Sequence, residues 1–172
     1  SSVDAIAALL AAPATPAVAD VVAEVRKQTT NTGRRATDSP ALLLHALFKA
    51  GTAAGAVGPP ASAITGALGK ACLPAFVALL DACGKAGPVR LAAQATMLQH
   101  VESVIAAHKA TLLKSTPLVL QALYEGDALE EDAIMAWYGA ASAGQDAEVR
   151  AKAKPFVEWL QTADEDDEDD EE

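Results

Sequence analysis

With 172 residues, the chain is long enough for one sizeable core and too short for two independent domains. Its hydrophobic fraction is 51 %, much of it alanine, and only 4 % of residues are aromatic; this argues against a β-sandwich and for closely approaching helices. The formal net charge of -10 is concentrated: residues 124–172 carry 17 carboxylates against 3 bases, a net of −14, whereas residues 1–123 carry 6 against 10, a net of +4. The acidic end repels phosphates, which argues against nucleic-acid binding there, and calls for a basic partner.

In chain order, Val3–Ala12 is expected to form a short helix ended by Pro13 and Pro16. A second covers Ala17–Gln28, with Val18, Val21, Val22 and Val25 at helical spacing. A polar, basic loop follows at Thr29–Thr37. Asp38-Ser39-Pro40 then reads as a capped helix start, leading into Leu44, Leu47 and Phe48. Gly51–Pro60 is a Gly- and Ala-rich insertion. The next stretch, Ala61–Ala82, puts Cys72, Phe76, Leu79, Leu80 and Cys83 on one face, and Pro74 is expected to kink or split it.

Gly87-Pro88 opens a long helix to Ala107, with Met97, Val101, Val104 and His108 in a stripe. Thr116-Pro117 starts another that ends near Tyr124. Asp127 is expected to cap the following helix, with Glu130 completing a capping-box pattern and Ile134, Trp137, Tyr138 and Ala141 facing inward. The last helix, Asp146–Ala163, buries Val149, Ala153, Phe156, Val157 and Leu160. No stretch shows sustained period-two alternation. About eight helices in successive antiparallel pairs, at 1–30, 40–83, 88–125 and 130–163, give an all-α, HEAT-like stack over residues 1–163. A helical bundle is the alternative. The acidic run 164–172 is expected to be a disordered tail, because like charges repel and nothing apolar is available to bury.

Catalytic and metal chemistry find little support. Cys72 and Cys83 lie roughly 16 Å apart along one helix, too far for a disulfide, and read as buried free thiols of a reducing compartment. His45, His100 and His108 are scattered, and the latter two are about 12 Å apart along a helix. The segment ITGALGKA lacks the glycine, the hydroxyl and the strand that a phosphate loop requires. No secretory leader precedes the apolar run Ala5–Ala12, and the Gly/Pro-rich stretch 50–69 is a poor membrane span. The start at Ser1-Ser2 suggests a fragment or a processed form. The dispersed bases of residues 1–123, Arg90 and Lys109 among them, read as solvated surface.

The informative stretch is Leu123–Glu172. It holds both tryptophans and both tyrosines in two blocks where aromatic rings adjoin carboxylates, Tyr124–Tyr138 and Phe156 onward. Trp137 and Tyr138 fall on an apolar stripe and read as core. Trp159 falls about a quarter-turn off the stripe of Val149, Phe156 and Leu160, which places it at the helix shoulder beside Glu158. A partly exposed tryptophan in a field of carboxylates suits a partner carrying lysines and apolar residues; packing against a neighbouring hairpin is the competing reading.

The pair LYEGDALEEDAIMAWY and AKAKPFVEWLQTADEDDEDDEE resembles the two acidic–aromatic boxes of the W2 domain family of translation initiation factors, with similarity from about Met97 to the end. The resemblance implies a non-enzymatic, HEAT-like adaptor, cytoplasmic and monomeric, without cofactor or metal. It implies that the boxes bind a lysine-rich segment of the initiation factor two beta subunit, and that the domain also contacts initiation factors three and one. Carried over by position, the site is Tyr124, Glu125, Asp127, Glu130, Glu131, Asp132 and Trp137, with Phe156, Glu158, Trp159, Asp164, Glu165, Asp166, Asp167 and Glu168. Two alternatives stay open within the family: a guanine-nucleotide exchange domain of the two-B epsilon type, and a regulatory mimic. The insertion around Gly51–Pro60 and the sparse surface lysines depart from the family pattern.

Overall fold

The computed structural model describes residues 1–52, 58–140 and 146–169, with side chains described as far as Ala163. Among these, ten α-helices are present and no strand. They are α1 (Ser2–Leu10), α2 (Val18–Asn31), α3 (Ser39–Ala50), the single turn α4 (Ser62–Thr65), α5 (Ala67–Asp81), α6 (Pro88–Ala107), the single turn α7 (Lys109–Leu112), α8 (Thr116–Glu125), α9 (Glu131–Gly139) and α10 (Ala147–Asp169). Short oxygen-bearing residues and prolines set several starts. Ser1 and Asp4 form a reciprocal capping box on α1, and Pro40, Pro88 and Pro117 occupy first-turn positions of α3, α6 and α8.

The helices stack in two rows. In one row α1 packs on α3, α3 on α6, and α6 on α9; in the other α2 packs on α5, α4 on α8, and α8 on α10. The expected pairings of α1 with α2, α3 with α5 and α9 with α10 are present. The expected pairing within 88–125 is replaced: α6 leans on α3 and α9, while α8 turns to α4 and α10. The unforeseen turn α7 and a 3-10 turn at Leu113–Ser115 carry the chain across that gap.

The core runs the length of the stack. Phe76, Leu79, Leu80, Met97, Leu98 and Ile105 are almost wholly buried, each contributing about 1.5–3 kcal/mol by removal from water. Val18, expected on the apolar stripe of α2, is exposed, because it opens the helix one turn before Val21 and Val22 reach the core. Cys72 and Cys83 are buried and unpaired; burial pushes the Cys72 thiol up to about 11.

Two expected features are corrected. Pro74 does not split its helix: α5 is continuous from Ala67 to Asp81 with Pro74 inside and exposed. The break falls earlier, at Gly66, whose extended backbone separates α4 from α5. Gly69 then passes so close to Ile64 that a Cβ would stand 2.0 Å from its carbonyl oxygen, so the sharp turn requires glycine there. Asp127 does not cap α9. It has a positive φ of 63° and lies in the reversal between α8 and α9, and the helix begins at Glu131. Ala141 and residues 170–172 lie outside the described residues. The helical backbone of α10 runs to Asp169, into the stretch expected to be a disordered tail; extending a nucleated helix costs far less than starting one.

Candidate acidic–aromatic binding site

The reversal between α8 and α9 builds the site. Gly126 lies against Leu73 of α5, where a Cβ would come within 2.5 Å of both Leu73 methyls. The N–H groups of Ala128 and Leu129 both donate to the Leu123 carbonyl, at 2.9 and 3.2 Å, satisfying an end carbonyl of α8. Ala128 and Leu129 are buried, which pins the turn and leaves Asp127 exposed.

No side chain local to α9 caps its N-terminus. The cap comes from α6. Gln94, wholly buried, accepts the Glu130 N–H through Oε1 at 2.7 Å and donates through Nε2 to Glu130 Oε2 at 3.0 Å. One turn earlier, Arg90 donates from Nε to Glu130 Oε1 at 3.1 Å. Its Nη1 donates to Asp81 Oδ1 at 2.9 Å and to the Gly84 carbonyl at 3.0 Å. Arg90 is 6 % exposed, so it is a buried, ion-paired arginine and not the solvated one expected. Its guanidinium and Lys85 hold Asp81 below the usual carboxylate range, the Lys85 hydrogen bond leading. Glu130 therefore orients the start of α9 as well as facing the site.

Around this anchor Tyr124, Glu125, Asp127, Leu129, Glu130 and Glu131 line a cavity of about 520 Å³, with Arg90 in its wall. Five of the sequence-selected residues thus converge on one place. Asp132 does not. It opens with Trp137 onto a separate apolar groove of about 440 Å³ between α6 and α9, beside Leu91, Ala95 and Ala133. Trp137 is 6 % exposed, and its Nε1 is buried without an acceptor among the described residues. It is core, as the apolar stripe implied.

The second block joins the first through Tyr124. Its ring meets Phe156 edge-on at 6.0 Å and Trp159 edge-on at 6.2 Å, while Phe156 and Trp159 stack at 5.8 Å. Phe156 is buried. Trp159 is 47 % exposed, resolving the shoulder position in favour of an accessible ring that leans on its neighbours. Glu158 beside it is exposed and loosely paired with Lys154 at 3.8 Å. Asp164, Glu165, Asp166, Asp167 and Glu168 lie on the helical backbone of α10, but their side chains lie outside those described.

Arg90, Gln94 and Asp81 were missed by sequence reasoning. The bonds that tie Arg90 and Gln94 to Glu130 span 40 and 36 residues, beyond the reach of a local pattern such as Asp127 with Glu130. His45 and His100, read as scattered, touch with ring centroids 4.8 Å apart. Burial, followed by the neighbouring His45, pushes His100 down to about 4. Among the described residues no three His, Cys, Asp or Glu side chains could hold a metal ion, and no helix is long and apolar enough to cross a membrane.

The W2 family model, described as eIF4-gamma/eIF5/eIF2-epsilon, matches residues 93–170, which carry both blocks and Gln94 of α6, while Arg90 lies just upstream of the match. Eukaryotic translation initiation factor 5 of Zea mays is 47% identical over 81 residues, covering 46% of this chain and 18% of the relative. The factor 5 of Mus musculus is 38% identical over 78 residues, covering 42% and 18%. The matches thus span less than a fifth of the length of these curated relatives. The fold extends the likeness to the whole chain: the solved C-terminal domain of translation initiation factor 5 at low pH superposes with a TM-score of 0.64 at 20% identity, covering 99% of this chain and 97% of that one. Residues 93–170 are thus similar to the W2 family of translation initiation factors, and the whole chain has the fold of the solved C-terminal domain of translation initiation factor 5.

Proposed function

We propose that this domain is a non-enzymatic adaptor of translation initiation, and that the cavity under Tyr124 together with the exposed Trp159 binds a lysine-rich segment of the initiation factor two beta subunit. The observation that carries the reading is convergence. Glu125, Asp127, Glu130 and Glu131 surround one cavity, and Tyr124 ties it to a tryptophan face that a cation can approach. Lysine ammonium groups meet the exposed carboxylates, and their aliphatic stems lie on the indole. Glu130 is committed to Arg90 and Gln94, so the direct contacts fall to its neighbours, above all Asp127. The HEAT-like stack holds these elements rigid, and contacts to initiation factors three and one belong to the same adaptor role, in the cytoplasm.

The test is a titration of a lysine-rich peptide at low and at physiological salt. Exposed charge pairs are screened within about 8 Å at physiological ionic strength, so affinity falls steeply with salt. The E125K/D127K pair of reversals weakens binding tenfold or more. Binding indifferent to both salt and reversal rejects the reading. A marked acceleration of GDP release from initiation factor two by this domain alone would instead favour the exchange-domain alternative.

A further inference from the structure

A second concave site lies on the opposite, basic half of the sequence. Arg26, Thr29, Thr30, Arg34, Ser39 and Leu79 line a cavity of about 270 Å³ where the end of α2 meets the start of α3 and the end of α5. Arg26 and Thr30 are four residues apart on α2 and share a face. Gly33, at φ +67°, reverses the chain, and the Arg34 N–H returns to the Thr29 carbonyl at 3.0 Å, bringing Arg34 back beside that face.

The charges here are unbalanced. Of the five arginines, Arg90 is held by Asp81 and Glu130, Arg35 by Asp38, and Arg150 by the Ala140 carbonyl. Arg26 and Arg34 have neither an ion pair nor a side-chain hydrogen bond among the described residues, and both are exposed. No carboxylate lines the cavity. The nearby acids are engaged elsewhere: Asp38 accepts from the Arg35 N–H at 3.1 Å, and Glu24 from Gln28 at 2.8 Å. The Thr29 and Ser39 hydroxyls donate to the Val25 and Ala36 carbonyls, leaving the guanidiniums as the principal donors. Burial and then the positive field of Arg34 hold His45 below its ordinary value, as expected next to uncompensated charge.

We propose that this cavity binds the phosphate of a phosphorylated serine or threonine on a partner's peptide segment. Two guanidinium forks suit an anion with three acceptor oxygens and nearly two charges; a single carboxylate satisfies only one fork. The volume exceeds the roughly 30 Å³ share of a water molecule several times over, enough for a phosphoryl group and its side chain. Ala36, Leu79 and Ala82 form an apolar lining that suits a small or aliphatic residue next to the phosphate. No aromatic ring lines the cavity, so it lacks the stacking platform that single-stranded nucleic acid uses.

The experiment follows the anisotropy of a fluorescein-labelled Ala-Leu-Ala-phosphoserine-Ala-Leu hexapeptide with the full chain. Its comparison arms are the serine and glutamate forms, inorganic phosphate as competitor, and a uridine hexanucleotide. The phosphopeptide is expected to bind at least tenfold more tightly than the serine and glutamate forms and to be displaced by phosphate. The R26Q/R34Q pair removes that advantage without moving the melting temperature, because both side chains are exposed. Arg34→Lys, which keeps the charge and loses the fork, weakens binding severalfold. The E125K/D127K reversals leave it unchanged, separating this site from the acidic cavity. Equal binding of the serine or glutamate form, tighter binding of the hexanucleotide, or indifference to both Arg34→Lys and R26Q/R34Q overturns the proposal.

Discussion

The two acidic–aromatic blocks share a composition and divide the labour. In the first, the tryptophan is core and a carboxylate is structural: Trp137 is 6 % exposed, and Glu130 is clamped by Arg90 and Gln94. In the second, the tryptophan is surface, 47 % exposed, and Glu158 has only a loose helical partner. A ring beside carboxylates therefore carries no fixed meaning. What decides it is where the ring falls on its own helix: Trp137 lies in the seam between α9 and α6, whereas Trp159 lies off the buried stripe of α10.

Substituting the two tryptophans breaks the comparison most sharply. Trp137→Ala is expected to cost about 3–5 kcal/mol of unfolding free energy, the range for emptying a large aromatic site. Trp159→Ala costs about 1 kcal/mol or less, from lost ring contacts, and weakens binding of a lysine-rich peptide. Urea midpoints of the two variants read the contrast directly; equal losses would refute the division.

The carboxylates give a smaller contrast. Arg90→Ala leaves Glu130 without its cation and Asp81 with Lys85 alone, in a half-buried setting, and is expected to cost about 3 kcal/mol. Glu130→Gln keeps the shape and one acceptor and costs about 1–2 kcal/mol, while Glu158→Gln stays within about 0.5 kcal/mol. Thermal melts that rank Glu158 with Glu130 would contradict the structural role assigned to Glu130.

Acid separates the two helix starts by the smallest margin. Asp146 caps α10 by accepting the Glu148 and Val149 N–H groups at 3.0 and 3.1 Å, and pairs with Lys109 at 3.0 Å. The Lys109 contact, ahead of the backbone N–H groups, holds its carboxyl below the ordinary 3.8. A lowered carboxylate contributes stability that is fully present above that ordinary value and is lost as pH falls through the folded one. Amide exchange at the start of α10 should therefore quicken as pH drops below about 3.8, after correction for intrinsic rates, with Asp146→Asn abolishing the dependence.

Helix order and the buried faces were legible because they depend on spacing: Val149, Ala153, Phe156, Val157 and Leu160 are all buried as their period demands. The same spacing put Trp159 at the helix shoulder but left open whether the ring packs on a neighbour or faces solvent, which its 47 % exposure decides. The start of α9 was not. A local pattern, Asp127 with Glu130, resembled a capping box, yet Gln94, 36 residues upstream, supplies the cap. Pro74 carries no break in the structure because it lies exposed within a continuous α5, and the turn falls instead where Gly66 and Gly69 permit it. The arginines divided in a way no spacing reveals: Arg90 is held by three partners from two chain segments, while Arg26 and Arg34 remain open.

The borrowed cap also limits how the acidic surface can be transplanted. A peptide of residues 123–172 would keep every carboxylate and ring of both blocks. It would lose Gln94 and Arg90, and with them the groups that fix Glu130 and close the first turn of α9. Such a peptide would attract lysines by bulk charge alone, without a preorganised cavity, so the smallest transferable unit of this surface has to begin upstream of Arg90.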